Sequence, residues 1–486
     1  MKTAALPHAP FECNDFPSWV PAVLVKELRQ GLHTRGFFAI VILFHAVMVV
    51  AMTTTVIALP GATPAARAAA ADTSNTFFWT LLAVMLLLVL PARALVGLRA
   101  EVDSRTLDLL VLTHLSAWRI VLGKWASLVA QGFLLLVSML PYGFVRYFAG
   151  SVDLADDAFR CCLLLSGCGL LTAAALWCSG LPRMAAIPIV ILIGYGTGMP
   201  AFRSAAGAVA YAGPLSFAAD SPSLAVFDGV LLLLFFLVGA VRRIAAPAEN
   251  YALVTRLLAL PAFLPVPVFA LMGKAELARY QFGLAACILI VVAAMEITSV
   301  RLPMGIHWRT FLKLGAPGRL VAPLFQPGWQ SALAFTLLAG SVVCALVWWG
   351  GLYSPGERLS FLRLALLFAG GLAFPAALRA GLARMNKNTG AVYGLTIGAL
   401  GLIAAVTSVF SNAPLMPRWW LEVASMLPVS AFWMEFTRGT PGSSVVLAQC
   451  AIAIVSLITA CWQTRSYWKY LAVLDAKERA CGPGRH

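Results

Sequence analysis

Few side chains in this sequence could do chemistry, and their spacing removes most of the options. Ten cysteines and six histidines supply the soft ligands and nucleophiles. Cys161, Cys162, Cys168, Cys178, Cys287, Cys344, Cys450 and Cys461 fall inside apolar runs, with no CxxC and no Cys/His spacing suited to a metal. They read as small apolar packing residues. His45 stands within the first long apolar run, where a neutral imidazole bonded across helices is preferred to a functional intramembrane group. Phosphate binding lacks its parts too. GYGTG at Gly194–Gly198 has neither a strand before it nor a helix to receive a pyrophosphate. The lysines of VLGK and LMGK lack the upstream glycine and the following hydroxyl of a P-loop. Gly394 and Gly398 form a GxxxG pair that reads as helix packing. Among the acids, Asp228, Glu296 and Glu435 stand singly near the ends of apolar runs, which leaves a transmembrane proton relay little to run on. Asp153, Asp156 and Asp157 share one polar loop and read as capping or solvating groups.

One stretch is different. Residues 97–124, GLRAEVDSRTLDLLVLTHLSAWRIVLGK, are the densest polar patch in the chain. Leu107, Leu110, Val111 and Leu115 recur at i, i+3, i+4 and i+8, one face of a helix. Arg99, Glu101, Asp103, Arg105 and Asp108 crowd the first half, and Arg119 and Lys124 close it. Acids early and bases late suit a helix dipole. The stretch reads as a short amphipathic helix at a membrane surface, with an apolar face that must dock on something.

The elements that position it are set by composition. The chain has 486 residues, 61% hydrophobic and 11% charged. About 20 apolar residues at roughly 1.5 Å each cross a hydrocarbon core, and runs of that length recur throughout. The fold class is therefore an all-α polytopic membrane protein of about twelve transmembrane helices, arranged as two six-helix halves with cytoplasmic interfacial helices. The first half has spans near 37–58, 77–97, 125–147, 160–180, 184–200 and 225–241. The second has spans near 252–272, 282–299, 331–350, 360–378, 390–410 and 443–463. The 252–272 run contains Pro261, Pro265 and Pro267 and is expected to be broken or re-entrant. The run beginning near Phe37 has no small-residue cleavage site after it and does not read as a signal peptide.

Ahead of the first span, residues 1–17 are a polar segment. Residues 18–34, SWVPAVLVKELRQGLHT, then place Val20, Leu24, Leu28 and Leu32 on one stripe, as in an in-plane interfacial helix. With both termini in the cytoplasm, most of the 35 lysines and arginines fall on the inner side, as the positive-inside rule favours. The net charge of +15 is then explained by anionic inner-leaflet lipid, with no nucleic acid partner. No loop is long enough to hold a soluble catalytic domain, so any ATPase must be another chain.

In this setting Glu101, Thr106-Leu107, Leu109-Leu110, Thr113, Leu115-Ser116, Ile120 and Gly123-Lys124 resemble the cytoplasmic signature of type-2 ATP-binding-cassette (ABC) export permeases. In that family a Glu, a Thr-Leu-x-x-Leu-Leu core and an I-x-x-G-K follow the second span, after a charged interfacial helix and a first span. The order here is the same. Arg105 stands where the family has Gly before Thr-Leu, and His114 where it has Pro. The resemblance implies a coupling helix at about 101–118 that seats in a groove of a separate ATP-binding subunit. Leu107, Leu110 and Leu115 would be its apolar anchor, Glu101, Arg105 and Thr106 its polar rim, and Gly123 and Lys124 its closing pair. ATP and Mg²⁺ would be bound by the partner, and this chain would hold no cofactor. The implied location is the bacterial cytoplasmic membrane.

Residues 18–241 then form one six-span permease unit, 242–256 a cytoplasmic join, 252–463 a second bundle, and 464–486 a cytoplasmic tail. Residues 295–320 again follow a second span but lack the Thr-Leu-x-x-Leu-Leu core. A degenerate repeat is preferred there to an appended bundle, which would require a second permease chain. The basic 301–319 loop reads as a lipid headgroup contact. The alternatives to a permease are a secondary transporter and an integral membrane enzyme acting on lipid-linked substrates.

Overall fold

A computed structural model of the chain describes residues 22–58, 63–103, 116–148, 153–179, 222–245, 249–274, 305–349 and 443–480. It also describes individual positions within 277–296 and 362–403. Regular structure among these residues is helical throughout. Seven helices are long and apolar enough to cross a membrane, which makes this a multi-pass membrane protein. They lie at Arg35–Thr54, Ala69–Val96, Ala117–Phe148, Leu154–Ser179, Ser223–Ile244, Tyr251–Phe269 and Leu447–Lys477. Each falls on an expected span. The expected count of about twelve goes beyond them: the run at 331–350 is helical without being one of the seven, 184–200 lies outside the described residues, and 282–299, 360–378 and 390–410 are described only at isolated positions. Gly194–Gly198, Gly394, Gly398, Glu435 and residues 1–17 also lie outside the described residues.

The first helices show how the sequence sets their limits. Helix α1 (Ala22–His33) ends at Thr34, whose carbonyl accepts the Phe37 N–H at 3.0 Å and starts α2 (Arg35–Ala58). Helix α3 (Pro64–Val84) opens with Pro at its first position and with Thr63 capping the Ala66 N–H. It runs through a π-turn at Met85–Val89 into α4 (Leu90–Asp103). The π-turn sits just before Pro91, which lacks an N–H and collides with the carbonyl one turn back, so a widened turn lets the helix continue.

Ser116 caps α5 (Ala117–Ser138), which turns at Met139 into α6 (Leu140–Phe148), with Pro141 in its first turn. Asp153 accepts the Ala155 N–H at 2.9 Å at the start of α7 (Leu154–Ser179), and Asp156 and Asp157 follow in its first turn. Helix α8 (Pro222–Ile244) ends on Arg242 and Arg243.

The proline-rich 252–272 run is broken, as its composition predicts. Helix α9 (Tyr251–Ala259) gives way to a 3₁₀ turn at Leu260–Phe263 and then α10 (Pro265–Leu271). Farther along come two short helices, α11 (Gly305–Leu312) and α12 (Gly315–Val321), and then α13 (Trp329–Trp349), which covers the run expected at 331–350. Helix α14 (Ser443–Gln463) breaks at Thr464 into α15 (Arg465–Ala480), so most of the expected tail is a helix.

Two cores organise these pieces. The smaller joins α2, α3, the π-turn, α5 and α7 through Phe44, Met48, Trp79, Leu82, Leu135 and Leu164. Small residues bring its helices close: a Cβ on Gly132 would meet Leu90 at 3.2 Å and Cys168 at 3.3 Å. The larger core starts on the last turns of α7 and α8, where Trp177 and Phe236 lie 5.8 Å apart. It continues without a break into α9, α11, α13 and α15. Phe38, Leu43 and Val50 point outward on α2, each more than 60% exposed, as a lipid-facing helix requires.

Candidate functional site

Among the described residues, buried polar groups meet at several places, Gln281 donating to Asp228 at 2.9 Å at one of them. Three clusters join several helices, and two of these lie at the same end of the bundle. The first is the junction of α1, α4 and α5, where the stretch singled out above leaves and rejoins the membrane bundle. Lys124 and Gln131, two turns apart on α5, are both buried and both face α1. The Lys124 ammonium reaches the Glu27 carboxylate at 3.0 Å. Arg93 of α4 donates to Gln131 Oε1 at 2.7 Å, to the Gly31 carbonyl at 3.2 Å and to Thr34 Oγ1 at 3.1 Å. Its guanidinium also lies over the Phe37 ring at 4.3 Å. One arginine thus joins the α1–α2 corner to α4 and α5. Charges with partners this close hold their places in an apolar setting, where an unpaired charge would be expelled or neutralised.

Of the eight residues expected to couple to a partner, the structure describes three. Lys124 is engaged inside the protein by Glu27, and Gly123 is buried beside it. Glu101 lies on the last turn of α4. Arg105, Thr106, Leu107, Leu110 and Leu115 lie outside the described residues. Periodicity did not single out Glu27, Arg93 and Gln131. The available signals were an arginine inside an apolar run and the seven-residue spacing of Lys124 and Gln131.

The second place joins α8, α9 and the start of α13. Glu296 is fully buried and accepts from Arg242 Nη2 at 2.7 Å, from Arg256 Nη2 at 3.2 Å and from the Gly328 N–H at 2.8 Å. Arg256 also donates to Ser331 Oγ at 2.8 Å and to the Leu324 carbonyl. Gly328 has φ 134, a conformation open to glycine and closed to most side chains, and this aims its N–H at the carboxylate. Tyr467 of α15 donates to the neighbouring Pro327 carbonyl at 3.4 Å. One buried carboxylate thus bonds two guanidiniums and a backbone N–H.

The third place is at the opposite end. Arg146, 2% exposed, donates to Asp157 at 2.9 Å and to Asn75, and stacks over Phe78 at 4.4 Å. Asp156 pairs with Arg160 at 2.6 Å, and Asp153 caps α7. All three acids thus have partners at the start of α7, in keeping with the capping reading of this segment. His45 makes a cross-helix bond, its Nδ1 lying 3.1 Å from the Tyr142 hydroxyl. Among the described residues, no group of three His, Cys, Asp or Glu could hold a metal ion.

Compared with family models, curated proteins and solved structures, the chain matches none.

Proposed function

We propose that this chain is the membrane-spanning permease subunit of an ABC export system. It moves substrate across the bacterial cytoplasmic membrane by coupling to ATP hydrolysis in a separate ATP-binding subunit. The observation that carries the reading is the sequence at 101–124, with its Glu101, Thr106-Leu107, Leu109-Leu110 and Gly123-Lys124 spacing after a second span. The arrangement around it supports the same reading. A partner that pushed on residues 104–115 would push on both α4 and α5, and neither is free to move alone. Lys124 ties α5 to α1 through Glu27, and Arg93 ties α4 to the α1–α2 corner. A displacement at the surface is then shared by the first three membrane helices, as a lever between ATP-driven closure and a change of membrane access requires. Leu107, Leu110 and Leu115 are the apolar anchor, and Glu101 and Arg105 the charged rim. The basic residues at this end support a cytoplasmic orientation for it and for both termini, by the positive-inside rule.

The test is a mild-detergent pull-down of the tagged chain, with mass identification and an ATPase assay. A stoichiometric ATP-binding-cassette subunit is expected, and Leu110→Asp should remove it by putting a charge into an apolar groove while leaving membrane insertion intact. Full partner-dependent ATPase activity in that variant would refute the coupling assignment.

A further inference from the structure

We propose that the slot between α2 and α5 holds one acyl chain of an anionic phospholipid, taken from the leaflet that meets α1. The slot is a side-open cavity of about 320 Å³, at the small end of the range of ligand sites. Phe37, Phe38 and Val41 form one wall, and Leu134, Leu135 and Ser138 the other. The wall residues recur at helical spacing, so each wall is one face of one helix. A polar pair stands beyond each end of the lining. At one end Arg93 lies over Phe37 and donates to Gln131 at 2.7 Å. At the other, one turn past Val41 and Ser138, His45 meets Tyr142 at 3.1 Å. Eight residues of α2 separate Phe37 from His45, a length of roughly 12 Å at 1.5 Å per residue. Between these pairs α2 packs on α3 and α6, and α5 stands back.

This shape selects its occupant. The walls are too apolar to hold water, and an empty slot would forfeit the dispersion contacts of its lining. The long side of the slot is open between the exposed Phe38 and Leu134. A thin, unbranched hydrocarbon chain can enter from that side. Charge fixes the headgroup. Arg35 is exposed one turn before Phe38 on the same face of α2, and exposed Lys26 and His33 stand nearby on α1. An anionic headgroup at that level meets cations while its tail fills the slot. The site holds whether or not an ATPase drives the chain, so its test needs no partner and no nucleotide.

The full chain is placed in nanodiscs of phosphatidylcholine and phosphatidylglycerol, with a photoreactive diazirine on the acyl chain of one or the other lipid. Adducts are then mapped by mass spectrometry. Labelled phosphatidylglycerol should mark Phe38, Val41 and Leu134 about fivefold more than the outward-facing Leu43 and Phe133, as a seated chain exceeds a passing one. Leu134→Trp, and independently Ser138→Leu, should lower slot labelling by a similar factor with unchanged helix content and unchanged labelling elsewhere. Arg35→Glu should remove the preference for phosphatidylglycerol over phosphatidylcholine. Even labelling of all lipid-facing residues, or slot labelling indifferent to both filling variants, would overturn the site. Equal labelling by the two lipids in the unaltered chain would overturn the anionic occupant.

Discussion

At Glu296 one buried carboxylate answers two guanidiniums and a backbone N–H. Its oxygens lie 2.7 Å from Arg242 and 3.2 Å from Arg256, and all three side chains are buried. Such a cluster adds little stability relative to an apolar replacement, because desolvation offsets most of the attraction. Removing this anion is a different matter, since two adjacent buried cations then lose the carboxylate that both of them bond. Glu296→Gln keeps the shape and the acceptor oxygen but loses the charge. The expected cost is about 3–5 kcal/mol, read as a lowered midpoint of thermal unfolding in detergent. Glu296→Asp, which keeps the charge on a shorter arm, should fall between. An unaltered midpoint for Glu296→Gln would mean that the cluster does not hold α8, α9 and α13 together. In the sequence this residue shows only as an acid near the end of an apolar run. Its partners lie 40 and 32 positions away on Arg256 and Gly328, a separation that no helical period reports.

At the scale of elements, local patterns carried much of the fold and little of the site. The apolar runs located the spans because the bilayer allows one solution to an apolar run of twenty residues, and Pro261, Pro265 and Pro267 announced the break in α9–α10. The π-turn ahead of Pro91 was not legible, because a widened turn leaves the run apolar and unbroken. The stripe of Leu24, Leu28 and Leu32 revealed α1 as amphipathic. What fixes α1 is polar and distant: Glu27 finds Lys124 across 97 residues.

The close approach at Gly31 offers a test of that docking. A Cβ there would lie 2.4 Å from Gln131 Nε2, and Gln131 is not free to swing away because Arg93 holds its other amide atom. Gly31→Val should break the Arg93–Gln131 bond and loosen α1 without unfolding the bundle. Tryptic cleavage after Lys26 and Arg29 should accelerate roughly tenfold, as local opening of one helix predicts, while far-UV circular dichroism stays unchanged. Unchanged cleavage would show that α1 is held by its apolar stripe alone.

For the whole molecule, the issue is whether the two halves are equivalent. Both place short helices after a second span: residues 101–118 are expected to form one in the first half, and α11 and α12 occupy the corresponding position in the second. Both halves also have a buried polar junction beside that position, built on Lys124, Glu27 and Arg93 in one and on Glu296, Arg242 and Arg256 in the other. The resemblance in order supports a degenerate repeat. Availability differs.

The apolar face of α11 is already covered by the chain itself. His307, Trp308 and Phe311 are each less than 8% exposed, and Trp308 Nε1 donates to Asp475 of α15 at 3.0 Å. Helix α15 is in turn seated on the larger core by Tyr467, Leu471 and Leu474. A face buried in this way cannot also fill the groove of an ATP-binding subunit, so given such a partner, each chain should dock one copy through the first half alone. Native mass measurement of the purified complex should therefore give equal numbers of permease and ATP-binding chains. Two ATP-binding subunits on a single permease chain would show that the second half docks as well and that α15 moves aside. Truncation after Gln463 sharpens the comparison. It uncovers α11, and a rise in bound ATP-binding subunit would identify α15 as the element that keeps the second half closed to a partner.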